Sequence, residues 1–114
     1  MIIDTGDKVH VVYRAFYENS VRRHFLGEVT ACKGALCRLR GFSFVRDSQS
    51  EMYTKKPEKH ITIIDLAESG YIVTLIDSNV DLDQVSYHYL DNTGMAAVDG
   101  QGFVLDINEF GPKS

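Results

Sequence analysis

Tryptophan is missing from this sequence of 114 residues, and proline and cysteine occur twice each. Two cysteines are too few for a disulfide-stapled scaffold. A chain of this length buries roughly 60 to 70% of its unfolded surface, enough for an ordinary core. Scarce proline, with nine glycines, argues against collagen-like or disordered character. Long apolar runs are absent as well. The longest, MAAV at 95–98, has four residues, where a membrane-spanning helix needs about 20. The opening MIIDTGDKVH has neither a basic n-region nor a long apolar h-region, so no secretory leader and no membrane association are expected. Two thiols in such a chain favour a reducing compartment, and the cytoplasm is the expected location.

Positive charge is nearly lacking from the second half. Residues 60–114 carry Lys113 alone against nine acids, a balance of −8, whereas residues 1–59 carry eleven Lys and Arg against seven Asp and Glu, a balance of +4. Two arrangements produce such asymmetry. One is a basic face for an anion; the other is pairing of the two halves, within one molecule or between two.

Helical spacing of apolar residues is missing from every long segment. What the sequence has is short alternating runs separated by turn residues, the mark of an antiparallel sheet. Strands are expected over 8–17, 21–31, 35–46, 60–66, 71–77, 84–90, 95–99 and 103–110, with Asn, Asp and Gly supplying the turns between them. The polar stretch 47–59 has a weak capping box, Ser48 with Glu51, and Pro57 ends anything helical in it. Residues 78–83 can hold one helical turn, and the carboxylates of DLD (81–83) read as its cap. The expected fold is all-β: one antiparallel barrel-like domain of about eight strands spanning 1–114. Closure is favoured because it removes exposed strand edges, and a two-sheet sandwich is the alternative.

The stretch VRRHFLGEVTACKGALCRLRGFSFVR (21–46) holds five arginines and a lysine among aromatics, leucines and glycines. ACKGA (31–35) reads as a three-residue loop with glycine in the left-handed region. That loop would pair Ala31 with Ala35 and set Phe25 over Gly41. Cys32 and Cys37 would then lie about three residue steps apart, and no disulfide is expected. The period of two splits the hairpin into two faces. One is apolar: Val21, Phe25, Val29, Ala31, Cys37, Leu39 and Val45, with Arg23 and Ser43 as polar exceptions. The other carries Arg22, His24, Leu26, Glu28, Leu36, Arg38, Arg40, Phe42, Phe44 and Arg46. Arginine among aromatics is favoured at interfaces and anion sites. Arg22, His24, Arg38, Arg40, Phe42 and Phe44 are therefore the candidate ligand-binding residues. A two-residue turn would flip one strand and break this division.

Motifs for chemistry are few. DSNVDLDQVSYH (77–88) starts like a calcium loop, but Leu82 and His88 stand where glycine and glutamate are required. The four histidines show no close metal spacing, so no metal and no cofactor are expected. No nucleophile elbow is present. Nucleic acid is not the expected partner, because the chain is acidic overall and lacks a ribonucleoprotein-type motif. Eight short antiparallel strands in a chain of this length resemble the architecture of small ligand-binding barrels of the lipocalin and fatty-acid-binding kind. That resemblance implies a cavity at the barrel mouth. The Gly-x-Trp motif of lipocalins is missing here, as are the clustered histidines of cupins. The expectation is a non-catalytic binding module for a small anionic or amphipathic molecule, held at the arginine and aromatic face or the barrel mouth. The alternatives are a protein-interaction or homodimerisation domain using the same face, and a small enzyme working with His, Tyr and Arg.

Overall fold

A computed structural model describes residues 2–13, 23–46, 53–68 and 70–107. It is all-β apart from one short 3₁₀ turn, and it contains two antiparallel sheets. The chain divides into two compact units, Met1–Ser78 and Asn79–Ser114. Among the described residues no helix is long and apolar enough to cross a membrane.

The first unit holds a six-stranded sheet. Its strands are β1 (Lys8–Tyr13), β2 (Arg23–Lys33), β3 (Leu36–Arg46), β4 (Tyr53–Lys55), β5 (His60–Asp65) and β6 (Tyr71–Ile76). The path runs β4-β3-β2-β1-β6, and β5 also pairs with β3. Strand β3 is long enough to hold two partners on one edge. Leu36–Gly41 pair with β5, and Phe44–Arg46 pair with β4. Strand β6 takes the far edge against β1. Although β5 and β6 follow each other in sequence, each pairs elsewhere, so the sheet is not closed into a barrel. The expectation of closure, and with it the lipocalin-like architecture, is thereby corrected: two sheets form, in line with the two-sheet alternative.

The second unit holds β7 (Ser86–Leu90), β8 (Gly94–Val98) and β9 (Val104–Asp106) in sequence order. A 3₁₀ turn at Leu82–Gln84 precedes them. Its cap is Asp81, whose carboxylate accepts from the Asp83 backbone N–H at 3.0 Å, the role read from DLD. Val80, Leu82, Val85, Ala96, Ala97 and Ile107 are buried.

All eight expected strands form, with ends that differ by one to a few residues; the expected stretches 14–17 and 108–110 lie outside the described residues. The ninth, β4, lies in the polar stretch 47–59 and shows no alternation. The capping box of Ser48 and Glu51 lies outside the described residues, as do Val21 and Arg22.

The β2–β3 hairpin differs from its expected register in two ways. Its turn has two residues, Gly34 and Ala35, with Gly34 at φ +58° and Lys33 opposite Leu36. Further along, β2 carries one extra residue, Thr30, between the pairs Ala31–Arg38 and Val29–Leu39. A bulge shifts parity by one, and so does the shorter turn. The two cancel. Phe25, Val29, Leu39, Ser43 and Val45 therefore share one face as expected, although their partners differ. Phe25 lies opposite Ser43, and Gly41 lies opposite Gly27. Only at the tip is the register truly displaced, and there Cys32 lies directly opposite Cys37.

The first unit's core is built on that face: Val9, Val11, Phe25, Val29, Cys37, Leu39 and Ile64 form one buried cluster, with Ile3, Cys32, Leu66, Tyr71 and Val73 packed against it. The paired glycines let β2 and β3 approach closely. A Cβ on Gly41 would collide with the Leu26 carbonyl oxygen, and one on Gly27 would lie 2.6 Å from the Phe25 ring.

Candidate functional site

The expected ligand residues are sorted by depth rather than gathered into one surface. His24, Leu26, Phe42 and Phe44 are buried, whereas Arg38 and Arg40 are exposed. Arg22 lies outside the described residues. Arg38 is tied into the bulge: its Nε donates to the Thr30 hydroxyl at 3.1 Å, and that hydroxyl donates to the Arg38 carbonyl at 3.2 Å. Arg40 lies opposite Glu28 on one side and Ile61 on the other. The aromatics have other company. The Lys55 ammonium stands 4.3 Å from the Phe42 ring centre and 5.8 Å from that of Phe44, a cation–π arrangement. His24 Nε2 and the Tyr53 hydroxyl are hydrogen-bonded at 3.3 Å, and the His24 ring meets the His10 ring edge-on at 5.4 Å. Burial holds His10 well below the ordinary imidazole range, down to about 4. His24, Phe42 and Phe44 are thus parts of a buried layer, and Arg38 and Arg40 stand outside it.

A cleft of about 420 Å³ has His24 of that layer in its lining. Its walls come from five strands of the sheet and the β5–β6 loop. Val11 and Tyr13 come from β1, Arg23, His24 and Phe25 from β2, Ser43 from β3, Thr62, Ile63 and Ile64 from β5, Tyr71 from β6 and Glu68 from the loop, so that of the expected ligand residues His24 alone lines the cleft. A second cavity of about 330 Å³ shares Arg23 and Ser43 and adds Lys56 and His60. The register explains the grouping. Tyr71 pairs with Tyr13 and Arg23 pairs with Val45, while one step along Val73 pairs with Val11, Val11 with Phe25 and Phe25 with Ser43. Period-two alternation sends these residues to the same face, while His24 and Ile63 reach the cleft from the intervening positions of β2 and β5.

Each polar wall residue has a definite setting. The Tyr13 and Tyr71 rings meet edge-on at 4.9 Å, and the Tyr13 hydroxyl donates to Glu68 at 3.4 Å. Burial, helped by the Glu68 carboxylate, raises the Tyr71 phenol above its ordinary value and keeps it a neutral donor. Ser43 Oγ is 2.9 Å from His60 Nε2, and the His60 ring meets Phe25 edge-on at 5.3 Å. A serine beside an imidazole is a nucleophile only if a third group orients the base. Among the described residues no carboxylate hydrogen-bonds His60. Arg23 brings the cleft's permanent positive charge and Glu68 its carboxylate. Among the described residues no group of three or more His, Cys, Asp or Glu side chains could hold a metal ion.

Arg23 and Ser43 are the two polar exceptions on the apolar face of the hairpin, and that irregularity is the sequence signal for this cleft. Tyr13, Tyr71 and Glu68 carry no such signal, because their convergence depends on β6 crossing to pair with β1. Compared with protein-family models, with curated proteins and with solved structures, the chain matches none.

Proposed function

We propose that this chain is a non-catalytic binding module, and that the cleft of the first unit takes one small amphipathic molecule. An apolar or aromatic body lies against Val11, Phe25, Ile64 and Tyr71, and an anionic group meets Arg23. The observation that carries this reading is the composition of the cleft. An apolar wall with a few convergent polar groups, in a volume of about 420 Å³, is what small-molecule sites of roughly 300–1,000 Å³ share. The mixed charge of Arg23 and Glu68 favours an amphipathic ligand over a simple anion.

The test uses 8-anilinonaphthalene-1-sulfonate, an aromatic sulfonate, as the probe. Fluorescence titration is expected to give one site per chain. Arg23→Ala is expected to weaken it about tenfold, from loss of a charge-assisted contact of roughly 1.5 kcal/mol. Arg40→Ala is expected to leave it unchanged. Equal affinity in all three proteins would refute the role given to Arg23.

A second reading, homodimerisation or contact with another protein, is favoured by a different observation. Leu36, Ile61 and Ile63 are at least half exposed and neighbour Arg38 and Arg40 across β3 and β5. Apolar side chains beside arginine suit an interface. A native mass spectrum separates the two: a monomer with a reproducible added mass supports the cleft, and a dimer that Arg40→Glu dissociates supports this face.

A further inference from the structure

The tip of the β2–β3 hairpin offers a chemistry independent of the cleft. Both cysteines of the chain lie there, directly opposite each other, with Sγ atoms 3.1 Å apart. Their position in the ladder favours a bond between them. Lys33 and Leu36 flank the two-residue turn, and such a pair exchanges backbone hydrogen bonds; the next pair outward does not. Cys32 and Cys37 are that next pair. Non-hydrogen-bonded partners have Cα atoms about 4.5 Å apart and their side chains closest, inside the span a disulfide bridges. Joining the two sulfurs requires a change in side-chain torsion and no movement of the backbone.

We propose that Cys32 and Cys37 are a reversible dithiol–disulfide pair, oxidised by small-molecule disulfides such as glutathione disulfide. The two thiols differ in access, which sets the order of events. Cys37 is buried in the core between β2 and β5, paired with Cys32 on one side and Ile64 on the other. Cys32 is only partly buried. The Cys32 thiolate therefore attacks one sulfur of glutathione disulfide. The S–S bond of the oxidant breaks, one glutathione leaves and takes a proton, and a mixed disulfide remains on Cys32. Cys37 then loses its proton to solvent, and its sulfur attacks Cys32 Sγ and expels the second glutathione. Two thiols are oxidised to one disulfide, and one disulfide is reduced to two glutathione thiols. The second step is the slow one. Burial holds the Cys37 thiol above its ordinary value at this stage too, so little of it is thiolate at neutral pH.

The experiment equilibrates the native full chain in glutathione buffers of graded potential. Free thiols are then trapped with N-ethylmaleimide, and intact mass is read. The expected result is conversion from a doubly labelled protein to an unlabelled one about 2 Da lighter than the reduced chain, reversed by reduced glutathione. The rate of closure is expected to rise about tenfold per pH unit between pH 7 and 9, following the Cys37 thiolate. Cys37→Ser is expected to stop at the glutathione adduct of Cys32, and Cys32→Ser to react at least tenfold more slowly than the wild type. A wild-type chain that keeps both labels in fully oxidising buffer would overturn the proposal. So would one that halts at a stable glutathione adduct. The wild-type measurement decides the matter even if a serine variant folds poorly.

Discussion

Gly41→Ala is the substitution whose cost follows most directly from the sheet geometry. Gly41 sits at the middle of β3, opposite Gly27 on one side and His60 on the other. Its φ is not in the left-handed region, so alanine meets no torsional penalty there and even stiffens the unfolded chain by up to about 1 kcal/mol. The obstacle is steric. The new Cβ would overlap the Leu26 carbonyl oxygen and press on Gly27 Cα. These are backbone atoms of the adjacent strand and cannot rotate away. Relief requires β2 and β3 to part at their centre. Overpacking of this kind costs about 1–3 kcal/mol, and one or two weakened ladder hydrogen bonds add about 1 kcal/mol each. After the unfolded-state offset, a net loss of about 2–4 kcal/mol is expected. Gly27→Ala should cost less: its Cβ would press on the Phe25 ring at 2.6 Å and on the Arg40 carbonyl oxygen at 2.9 Å, a looser approach to backbone than at Gly41. Equilibrium urea unfolding followed by circular dichroism measures both. With a slope of about 1–2 kcal/mol per molar urea, the Gly41→Ala midpoint should fall by about 1–4 M. A variant within about 0.5 kcal/mol of wild type, or a reversal of the order of the two, would refute the close approach of β2 and β3.

Two further outcomes are expected. His10 has its folded pKa lowered to about 4 from 6.5 by burial, so the unfolded chain binds more protons between those values. Stability is then fully present above about pH 6.5 and falls by up to about 3 kcal/mol as pH drops to 4. Urea midpoints across pH 4–8 check this, and His10→Leu should flatten the profile in that window. Oxidation of Cys32 and Cys37 closes a loop of six residues, 32–37, and should stabilise the first unit by about 2 kcal/mol on the chain-entropy account. Unfolding of the oxidised and reduced forms under matched conditions measures it, and a destabilised oxidised form would show strain at the hairpin tip.

Much of the sheet's local structure is legible in the residues, and its closure is not. Alternation at HITIID (60–65) and YIVTLI (71–76) marks two strands correctly. Nothing in either run says that β5 turns to β3 while β6 turns to β1. Alternation reports which side chains share a face, not which strand is the neighbour. Strand β4 is illegible for another reason: YTK is three residues in a polar stretch, too short to establish a period. The candidate site divides along the same line. His24, Phe42 and Phe44 lie on the face with Arg38 and Arg40, as parity requires. Parity does not reveal that this face is buried at Phe42 and Phe44 and exposed at Arg38 and Arg40.

The hairpin shows why parity survives a wrong register. A three-residue loop with no bulge and a two-residue turn with a one-residue bulge place β2 residues 23–29 on the same side of the sheet. Each change alone would invert every side chain, sending Phe25 and Val29 away from Val11 and Leu39. Both apolar sets must reach the core, so a sequence that shortens the turn is held to a compensating insertion in one strand. Thr30 is suited to that place. Its hydroxyl accepts from the Arg38 side chain and donates to the Arg38 carbonyl, a backbone group of the kind that a bulge takes out of the ladder. The displaced register between turn and bulge spans only Ala31–Lys33 on β2. That short interval is the one place where Cys32 can face Cys37. The device that preserves the core pattern also creates the dithiol.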